Sequence, residues 1–360
     1  MVKRMESERI YCIAIHRPRM PTPAQTPTPH EPHNRPRPVV VVRLSNWIGD
    51  VVLMLPALVR LSRIADLQLV GRRWAPDLLA AYGWPCHVYP AKLKERVRLL
   101  RSLKQPGVPA HGLCVPTSFS SALEFRLAGL PAIGYAREGR SPLLKQALQL
   151  DHIVHMRAHY DRLFRAMEAR LGHPDTPPQP DDATLRLTPA ARTQAQQALR
   201  DAGIATPYVV ACPISSGGLQ NTARSWPHFP ALVQQLAARN IPVVICPGPG
   251  EEAALRAWSA DVTCLPGLSV SAYAAVLANA QCVVSIDTGA GHMAASLGVP
   301  IISVLGATLA HRWGVQGPRA HTVCHWPQWP SHEAILELIQ ANGFRCAKTG
   351  PPGFPPPAKP

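Results

Sequence analysis

The sequence predicts an α/β protein with two halves, each a doubly wound parallel sheet flanked by helices. Short apolar runs of strand length alternate with longer runs that have helical spacing, and this series occurs twice along the 360 residues. The series are separated by HPDTPPQPDDA, residues 173–183, whose four prolines are typical of a linker. A chain of this length also suits two domains of ordinary size.

The first half begins with an unbroken valine run, which is typical of a central parallel strand buried on both faces. The predicted strands, in chain order, are VVVVRL, LQLVGR, CHVYP, GLCVP and AIGY. The helices that follow the first four are VLMLPALVRLSRI, APDLLAAYG, KLKERVRLLRSLK and SSALEFRLAG. A long helix around HYDRLFRAMEARLG ends this half near Gly172. Repeated β-α units of this kind predict right-handed crossovers.

The second half opens with the helix AARTQAQQALRDAG. Its predicted strands are YVVACP, PVVICPG, VTCLPG, CVVSID and PIISVLG, with the helices FPALVQQLAARN, EEAALRAWS, VSAYAAVLANA and GHMAASLG between them. Doubly wound sheets bind ligands at the carboxyl ends of their strands, so two such halves predict a cleft between them. We place the domains at residues 39–175 and 176–345. Pro-rich segments at 1–38 and 346–360 are predicted to be disordered extensions.

Composition narrows the class of protein. The net charge of +15 suits nucleic acid, an anionic membrane surface or a phosphorylated substrate. No stretch that interleaves aromatic and basic residues appears, which argues against nucleic acid. No apolar run approaches the roughly 20 residues that span a bilayer, and the nine scattered cysteines contain no CxxC pair. The sequence therefore predicts a cytoplasmic protein with reduced thiols.

A basic helix in the first half bears on the choice of partner. Residues Lys92–Lys104 contain six Lys or Arg and one Glu. We expect the inner face of this helix to be Leu93, Val97, Leu100 and Leu103. The basic face is either simply solvated or in contact with phosphate groups of an acceptor or with anionic lipid headgroups.

The stretch SIDTGAGHMAASLGVPIISVLG, Ser285 to Gly306, is the densest candidate for chemistry. Asp287 ends a strand, Thr288 and Gly289 form a tight turn, and His292 lies in the first turn of the next helix. Small residues allow a ligand to approach the backbone, and free N–H groups at a helix start favour phosphate. A plain capped β-α turn remains the alternative.

Two further positions in the second half suit a nucleotide. Arg224, before a Trp-Pro that starts a helix, can hold a diphosphate bidentately, although taken alone this position is better explained as an exposed loop arginine. Glu251 follows a Gly/Pro turn, where a carboxylate suits ribose hydroxyls or simply complements a helix dipole.

In the first half, Asp50 raises a separate possibility. It follows the first strand in RLSNWIGDVVLMLPAL, in a loop that leads into an apolar helix. A carboxylate at that edge can act as general base for a hydroxyl nucleophile, and a helix-start carboxylate is the alternative. No Walker loop, GxGxxG, HExxH, GxSxG or DxD appears, and His321, Cys324 and His325 lack a second ligand cluster. We therefore predict no metal site.

Six motifs, in order, resemble those of the ADP-heptose:lipopolysaccharide heptosyltransferases, which form glycosyltransferase family 9. They are RLSNWIGDVVLMLPAL, PTSFSSALEFRLAGLPAIGY, GRSPLL, ARSWPHF, CPGPGEE and SIDTGAGHMAASLGVPIISVLG, and they span roughly residues 39 to 320. The Asn-Trp of the first loop is more similar to enzymes that add the second core heptose than to those that add the first.

The resemblance implies a GT-B fold, two Rossmann-like domains facing a cleft, with an inverting transferase that needs no metal or other cofactor. ADP-heptose would be the donor and a phosphorylated lipid A-core the acceptor. The protein would be cytoplasmic and in peripheral contact with the inner face of the inner membrane of a Gram-negative bacterium. Asp50 would be the catalytic base. The donor side would comprise Arg224, Glu251, Leu268, Asp287, Thr288, Gly289, His292, Ser215 and Ser216. The acceptor side would comprise Asn46, Trp47 and Ser118.

The sequence also departs from the family pattern. Thr117 stands where many relatives have Asn, and the loop from Ser215 to Thr222 aligns poorly. The stretch ATLAHRWG after Gly306 lacks the expected Pro-rich turn. A GT-B transferase that uses another nucleotide sugar in O-antigen or capsule assembly is therefore the alternative.

Overall fold

Two six-stranded parallel sheets organise the computed structural model, which describes residues 36–205, 207–214, 224–248, 250–251 and 262–341. The first sheet consists of β1 (Val39–Arg43), β2 (Asp66–Gly71), β3 (Cys86–Val88), β4 (Ala110–Cys114), β5 (Ala132–Ala136) and β6 (Gln146–Gln149). Its helices are α1 (Ile48–Ser62), α2 (Ala75–Leu78), α3 (Leu93–Ser102), α4 (Phe119–Ala128) and α5 (Met156–Arg170).

The second sheet consists of β7 (Val209–Cys212), β8 (Val243–Ile245), β9 (Val262–Cys264), β10 (Cys282–Ser285), β11 (Ile301–Leu305) and β12 (Ala320–Cys324). The described helices of this half are α6 (Pro189–Asp201), α7 (Phe229–Ala237), α8 (Val270–Ala278), α9 (Gly289–Ser296), α10 (Ala310–Trp313) and α11 (His332–Ala341). Among the described helices, none combines the length and apolar character needed to cross a bilayer.

Strand order is the same in both sheets. The first runs β3-β2-β1-β4-β5-β6 and the second, taken in the same sense, runs β9-β8-β7-β10-β11-β12. In each, the direction of winding reverses between the first and fourth strands of that half. Ligands of doubly wound sheets bind outside the carboxyl ends of the strands at this switch point. The loops after β1, β4, β7 and β10 are therefore where the topology places a site.

The central strand β1 and the helix after it carry much of the first core. All five residues of β1 are buried, and β1 pairs with β2 on one side and β4 on the other. Burial of each valine stabilises the fold by about 1.5–3 kcal/mol. Helix α1 packs against α5, where Arg60 Nε lies 2.7 Å from Glu168 Oε1 and both side chains are almost fully buried. Breaking such a pair costs about 3–5 kcal/mol.

Three local predictions were wrong. Helix α1 begins at Ile48, so Asp50 lies in its first turn and not in a preceding loop. The predicted helix APDLLAAYG divides into α2 and a separate 3-10 turn at Ala80–Tyr82. Leu93, expected on the inner face of the basic helix, is 41% exposed.

The sixth strand of each half, β6 and β12, was not predicted from the sequence pattern. β6 and β12 are sheet edges whose side chains are partly or fully exposed, so neither strand has the buried apolar run that marks the central strands. Most of the predicted helix EEAALRAWS, 252–259, lies outside the described residues, as do 1–35 of the predicted N-terminal tail and all of the predicted tail 346–360.

Candidate active site

The carboxyl edges of the two sheets meet where α1 and α9 begin. A Cβ built on Gly49 lies 2.8 Å from Cδ2 of His292 and 3.4 Å from Cα of Gly289. A Cβ built on Gly289 lies 3.1 Å from the backbone nitrogen of Gly49 and 3.0 Å from Cβ of Ile48. No real side chain fits at such distances without movement. The two glycines therefore let one helix start approach the other in direct backbone contact.

Asp50 lies beside this contact, in the first turn of α1. Its Oδ2 accepts a hydrogen bond of 2.5 Å from Ser45 Oγ, and the Tyr160 hydroxyl on α5 donates to the same carboxylate. Burial raises the pKa of Asp50 above its ordinary value of 3.8; the two hydrogen bonds lower it, and the nearby charge of Asp287 raises it again. Because burial is the largest of these effects, the Asp50 carboxylate is a stronger base than a carboxylate in water.

Asp287 follows β10 and is held differently. Its Oδ2 accepts from Arg224 NH2 at 2.7 Å and from Thr308 Oγ1 at 2.8 Å. The same guanidinium nitrogen donates to the backbone oxygen of Asp287 at 3.0 Å. The ion pair joins the segment before α7 to the end of β10, which are neighbouring loops of the second switch point. It fixes a cation at the edge where a diphosphate is predicted.

Thr288 precedes α9 with an extended backbone and makes no side-chain cap of the helix; its hydroxyl lies 2.9 Å from Ser285 Oγ. The backbone N–H groups at the start of α9 are thus not capped by Thr288. His292, one turn later, is 7% exposed, and its Nδ1 has no hydrogen-bond partner in the described part of the chain. Burial lowers the pKa of His292 to about 4, so the ring is neutral and offers a single N–H.

The other predicted donor-side residues belong to separate segments of the second half. Glu251 accepts a hydrogen bond of 2.9 Å from the backbone N–H of Gly248, which closes the turn after β8. Leu268 is partly buried and packs against the main hydrophobic core beyond β9. Ser215 and Ser216 lie outside the described residues. The roles of Glu251 and Leu268 toward a nucleotide stay predictions.

The acceptor-side predictions lie on the loops after β1 and β4, which flank the first switch point. Asn46 Oδ1 accepts from Arg43 NH2 at 2.8 Å, whereas Trp47 is 62% exposed. Ser118 precedes α4, and its hydroxyl lies 3.3 Å from Ser120 Oγ. The topology thus gathers these residues at one edge, with the indole of Trp47 open to a ligand.

Sequence reasoning missed residues that organise the site. Arg140 is fully buried and its NH1 donates to the carbonyl oxygens of Pro116 and Ser118, at 2.5 and 3.1 Å, which shapes the loop after β4. Arg140 lies in the motif GRSPLL, but nothing in that local pattern marks it as the residue that shapes the loop after β4. Tyr160 and Thr308 come from distant segments, and no local pattern marks either as a partner of an aspartate.

Further contacts join the two halves beside the site. His155 Nδ1 accepts from the Arg157 backbone N–H, so its Nε2 donates to the Gly314 carbonyl at 2.9 Å. The carboxylate of Asp77 accepts from the backbone N–H and the hydroxyl of Ser271, at 2.7 and 2.6 Å. Within the described part of the chain, no group of three or more His, Cys, Asp or Glu side chains is arranged to hold a metal ion.

Comparison with known families decides how this arrangement is classified. The family model described as glycosyltransferase family 9 (heptosyltransferase) matches residues 96–337, more than half of the chain. The chain belongs to glycosyltransferase family 9. This match includes every predicted donor-side residue and Ser118, whereas Asp50, Asn46 and Trp47 lie before it.

Individual relatives agree with this classification at the level of the family. Lipopolysaccharide heptosyltransferase 1 of Pseudomonas aeruginosa is 33% identical over 119 residues, which are 31% of this chain and 32% of the relative. The chain spans about a third to a half of the length of the curated relatives it matches. Those relatives include heptosyltransferases 1 and 3, so they do not agree on one subtype.

Solved structures confirm the predicted fold. The E. coli ADP-heptose lipopolysaccharide heptosyltransferase II superposes with a TM-score of 0.68 at 20% identity, covering 84% of this chain and 98% of that one. The E. coli heptosyltransferase WaaC with ADP gives a TM-score of 0.66 at 23% identity, covering 85% and 100%. The prediction of a GT-B fold with two doubly wound sheets is therefore confirmed.

Proposed function

We propose that this protein transfers heptose from ADP-heptose to a hydroxyl group of the lipopolysaccharide inner core, with inversion and without a metal. The observation that carries the proposal is the meeting of the two sheet edges at Gly49 and Gly289. It brings a basic carboxylate, Asp50, next to a helix start and a fixed arginine, Arg224. Membership of the family and the similarity to a structure with ADP supply the donor.

The reaction follows from the charges at this edge. Asp50 takes the proton of the acceptor hydroxyl as its oxygen attacks the anomeric carbon from the face opposite the diphosphate, so the configuration inverts. Negative charge then grows on the departing ADP. Arg224 and the backbone N–H groups at the start of α9 offset it. Asp287 holds Arg224 in place, so the guanidinium need not be ordered during the reaction.

For the acceptor, we propose a phosphorylated lipid A-core of a Gram-negative bacterium, reached from the inner face of the inner membrane. The net charge of +15 supports an anionic acceptor. We propose the second core heptose as the group added, on the basis of Asn46 and Trp47 in the first loop. This choice is tested by assaying the protein on an acceptor without a core heptose and on an acceptor that already carries one. Only the acceptor that carries one heptose should be extended.

The donor is tested by thermal unfolding in the presence of ADP or UDP. A ligand that binds only the folded protein raises its stability, by about 2.7 kcal/mol at 100 times Kd. We expect stabilisation by ADP, a weaker effect of UDP, and loss of the ADP effect in Asp287→Ala. Asp201→Ala, an exposed residue at the end of α6, is the matched control and should behave as wild type. If neither nucleotide raises the unfolding temperature, the donor-site assignment is wrong.

One observation favours the alternative of another nucleotide sugar in O-antigen or capsule assembly. Thr308 lies in the segment that departs from the family pattern, and its hydroxyl donates directly to Asp287. A change in that segment therefore reaches the predicted sugar site. Stabilisation by UDP in place of ADP would keep the fold and the site but assign the donor to this second class.

A further inference from the structure

The outer surface of helices α3 and α4 is a second feature that the transfer reaction does not use. The two helices pack side by side on one face of the first sheet. Their inner sides cover a separate hydrophobic core through buried residues such as Leu100 and Phe125. Arg101 NH2 donates to the Leu127 carbonyl at 2.8 Å, which joins the last turns of the two helices. We call the solvent side of this pair, within residues 92–104 and 119–128, the α3–α4 face.

Charge on this face is strongly one-sided. Its exposed basic side chains are Lys92, Lys94, Arg98, Arg101, Lys104 and Arg126. Its exposed carboxylate is Glu95, because Glu124 is fully buried and bound to Arg96 and Tyr89. Glu138 lies at the edge of the face, where it accepts from the backbone N–H of Phe119 at 3.0 Å. The basic residues thus outnumber the exposed acids of the two helices six to one.

Large apolar side chains stand among these charges. Leu93, Phe119 and Leu127 are 41%, 44% and 47% exposed. Single exposed apolar residues are ordinary on protein surfaces, but these three lie on the same two helices as the six basic residues. Basic residues mixed with exposed Leu and Phe are the composition of helices that lie on anionic membranes, with apolar groups inserted at the level of the headgroups.

The position of the face relative to the site supports the same partner. Helix α4 starts directly after Ser118, on the loop that follows β4 at the acceptor side. Peripheral membrane contact is expected from the family resemblance, but the surface that makes it is not. We propose that the α3–α4 face is that surface: it binds an anionic phospholipid bilayer and so presents the acceptor edge of the cleft to lipid-linked molecules. The benefit of such docking rests on the proposed function, whereas the binding itself does not depend on turnover.

Sedimentation of the full chain with vesicles tests the proposal. We expect binding to phosphatidylcholine vesicles that contain phosphatidylglycerol, weaker binding as salt rises, and little binding to phosphatidylcholine alone. The triple variant Lys94→Glu, Arg98→Glu, Arg126→Glu should lower partitioning at least 100-fold, since each basic residue near an anionic membrane contributes about a fivefold effect and each reversal also adds repulsion.

A matched triple, Arg192→Glu, Arg200→Glu, Arg319→Glu, makes the same change of net charge at exposed positions of the second half and should bind nearly as wild type. A milder variant, Leu127→Ser, should weaken binding severalfold without changing charge. Thermal unfolding with ADP, run on every variant, separates loss of folding or of the donor site from loss of docking.

Three results would overturn the proposal. One is equal binding of the first triple and wild type to anionic vesicles, which would assign docking to another part of the chain. Another is failure of wild type to bind such vesicles while ADP still stabilises it, which would leave the proposed function intact. The third is displacement from vesicles by inorganic phosphate but not by chloride of equal ionic strength, which would indicate a phosphate site in place of a bilayer surface.

Discussion

Two aspartates, one in each half of the molecule, occupy comparable places and have different surroundings. Asp50 follows the first strand of its sheet and Asp287 the fourth strand of the other, so each flanks the switch point of the same strand order. Asp50 is held by two hydroxyl groups, Ser45 and Tyr160. Asp287 is held by a guanidinium and one hydroxyl.

The difference shows how one topology supports two kinds of chemistry. A carboxylate with neutral donors keeps a raised pKa and remains a base. A carboxylate paired with an arginine holds that cation in place, and its own charge is largely offset. Topology fixes where the two groups stand, whereas their partners, which come from distant segments, decide what each group does. The following substitutions break or sharpen this contrast, in order of expected effect.

Asp50→Asn should have the largest effect on turnover. Removal of a general base lowers kcat by about 10²- to 10⁴-fold, while stabilisation by ADP should remain. Asp66→Asn, an exposed residue in a surface ion pair with Arg37, is the control and should leave kcat unchanged. A full loss of ADP stabilisation in Asp50→Asn, or normal turnover, would contradict the assignment.

The same variant has a consequence for stability that depends on pH. Because the folded-state pKa of Asp50 is raised above 3.8, its ionisation costs folding free energy. Protonated Asp50 therefore contributes favourably to the free energy of unfolding. This contribution is fully present below the pKa of Asp50 in the unfolded chain and is lost as pH rises through its pKa in the folded protein. Asp50→Asn should therefore raise the free energy of unfolding at neutral pH, and the gain should vanish below about pH 4. Urea unfolding at several pH values measures this.

Substitution of either residue of the Arg224–Asp287 ion pair should have the next largest effect. Arg224→Gln and Asp287→Asn should each weaken ADP binding about 10- to 150-fold, because each removes a charge-assisted hydrogen bond that orders the cation. The double variant should lose little more than either single variant if the pair acts as a unit. Calorimetric titration measures Kd, with Arg192→Gln as the exposed control. Fully additive losses would show that the two residues act independently.

Gly49→Ala should have a smaller effect, about tenfold in kcat/KM. The added methyl group collides with His292, and overpacking of this kind costs about 1–3 kcal/mol. Ser120→Ala, at the second position of α4 as Gly49 is of α1, is the matched control. Thermal unfolding of Gly49→Ala with His292→Ala provides a further check. The double variant should recover the stability that Gly49→Ala loses. If it does not, the added methyl group collides with a residue other than His292.

Tyr160→Phe should have the smallest effect. It removes one of the two hydrogen bonds that lower the pKa of Asp50, so that pKa should rise further. Because the base must be ionised, the acid limb of the kcat/KM profile should move to higher pH. Tyr82→Phe, a hydroxyl bound to the Thr184 carbonyl away from the site, should leave the profile in place.

Local sequence predicted ten of the twelve described strands, and most of these have buried apolar runs, because burial on both faces leaves a plain pattern. β3 and β9 are partly exposed edge strands, but each has a short apolar segment after a turn. Local sequence did not predict β6 or β12, since edge strands need no such run. It placed Asp50 and Asp287 near their switch points, because a strand end and a turn are local features. It could not find Tyr160, Thr308 or Arg140 as partners, because those contacts join segments far apart in the chain and depend on the packed structure.

The glycine contact between α1 and α9 has an electrostatic consequence as well. Each helix start carries about half a positive charge, and the two starts meet head to head, so they repel one another by something of the order of 1 kcal/mol. A diphosphate that binds at the rim of this contact, close to both starts, would offset that repulsion. Under the proposed function the nucleotide sugar then acts as a counterion for both helix starts, and we expect it to bind before the acceptor.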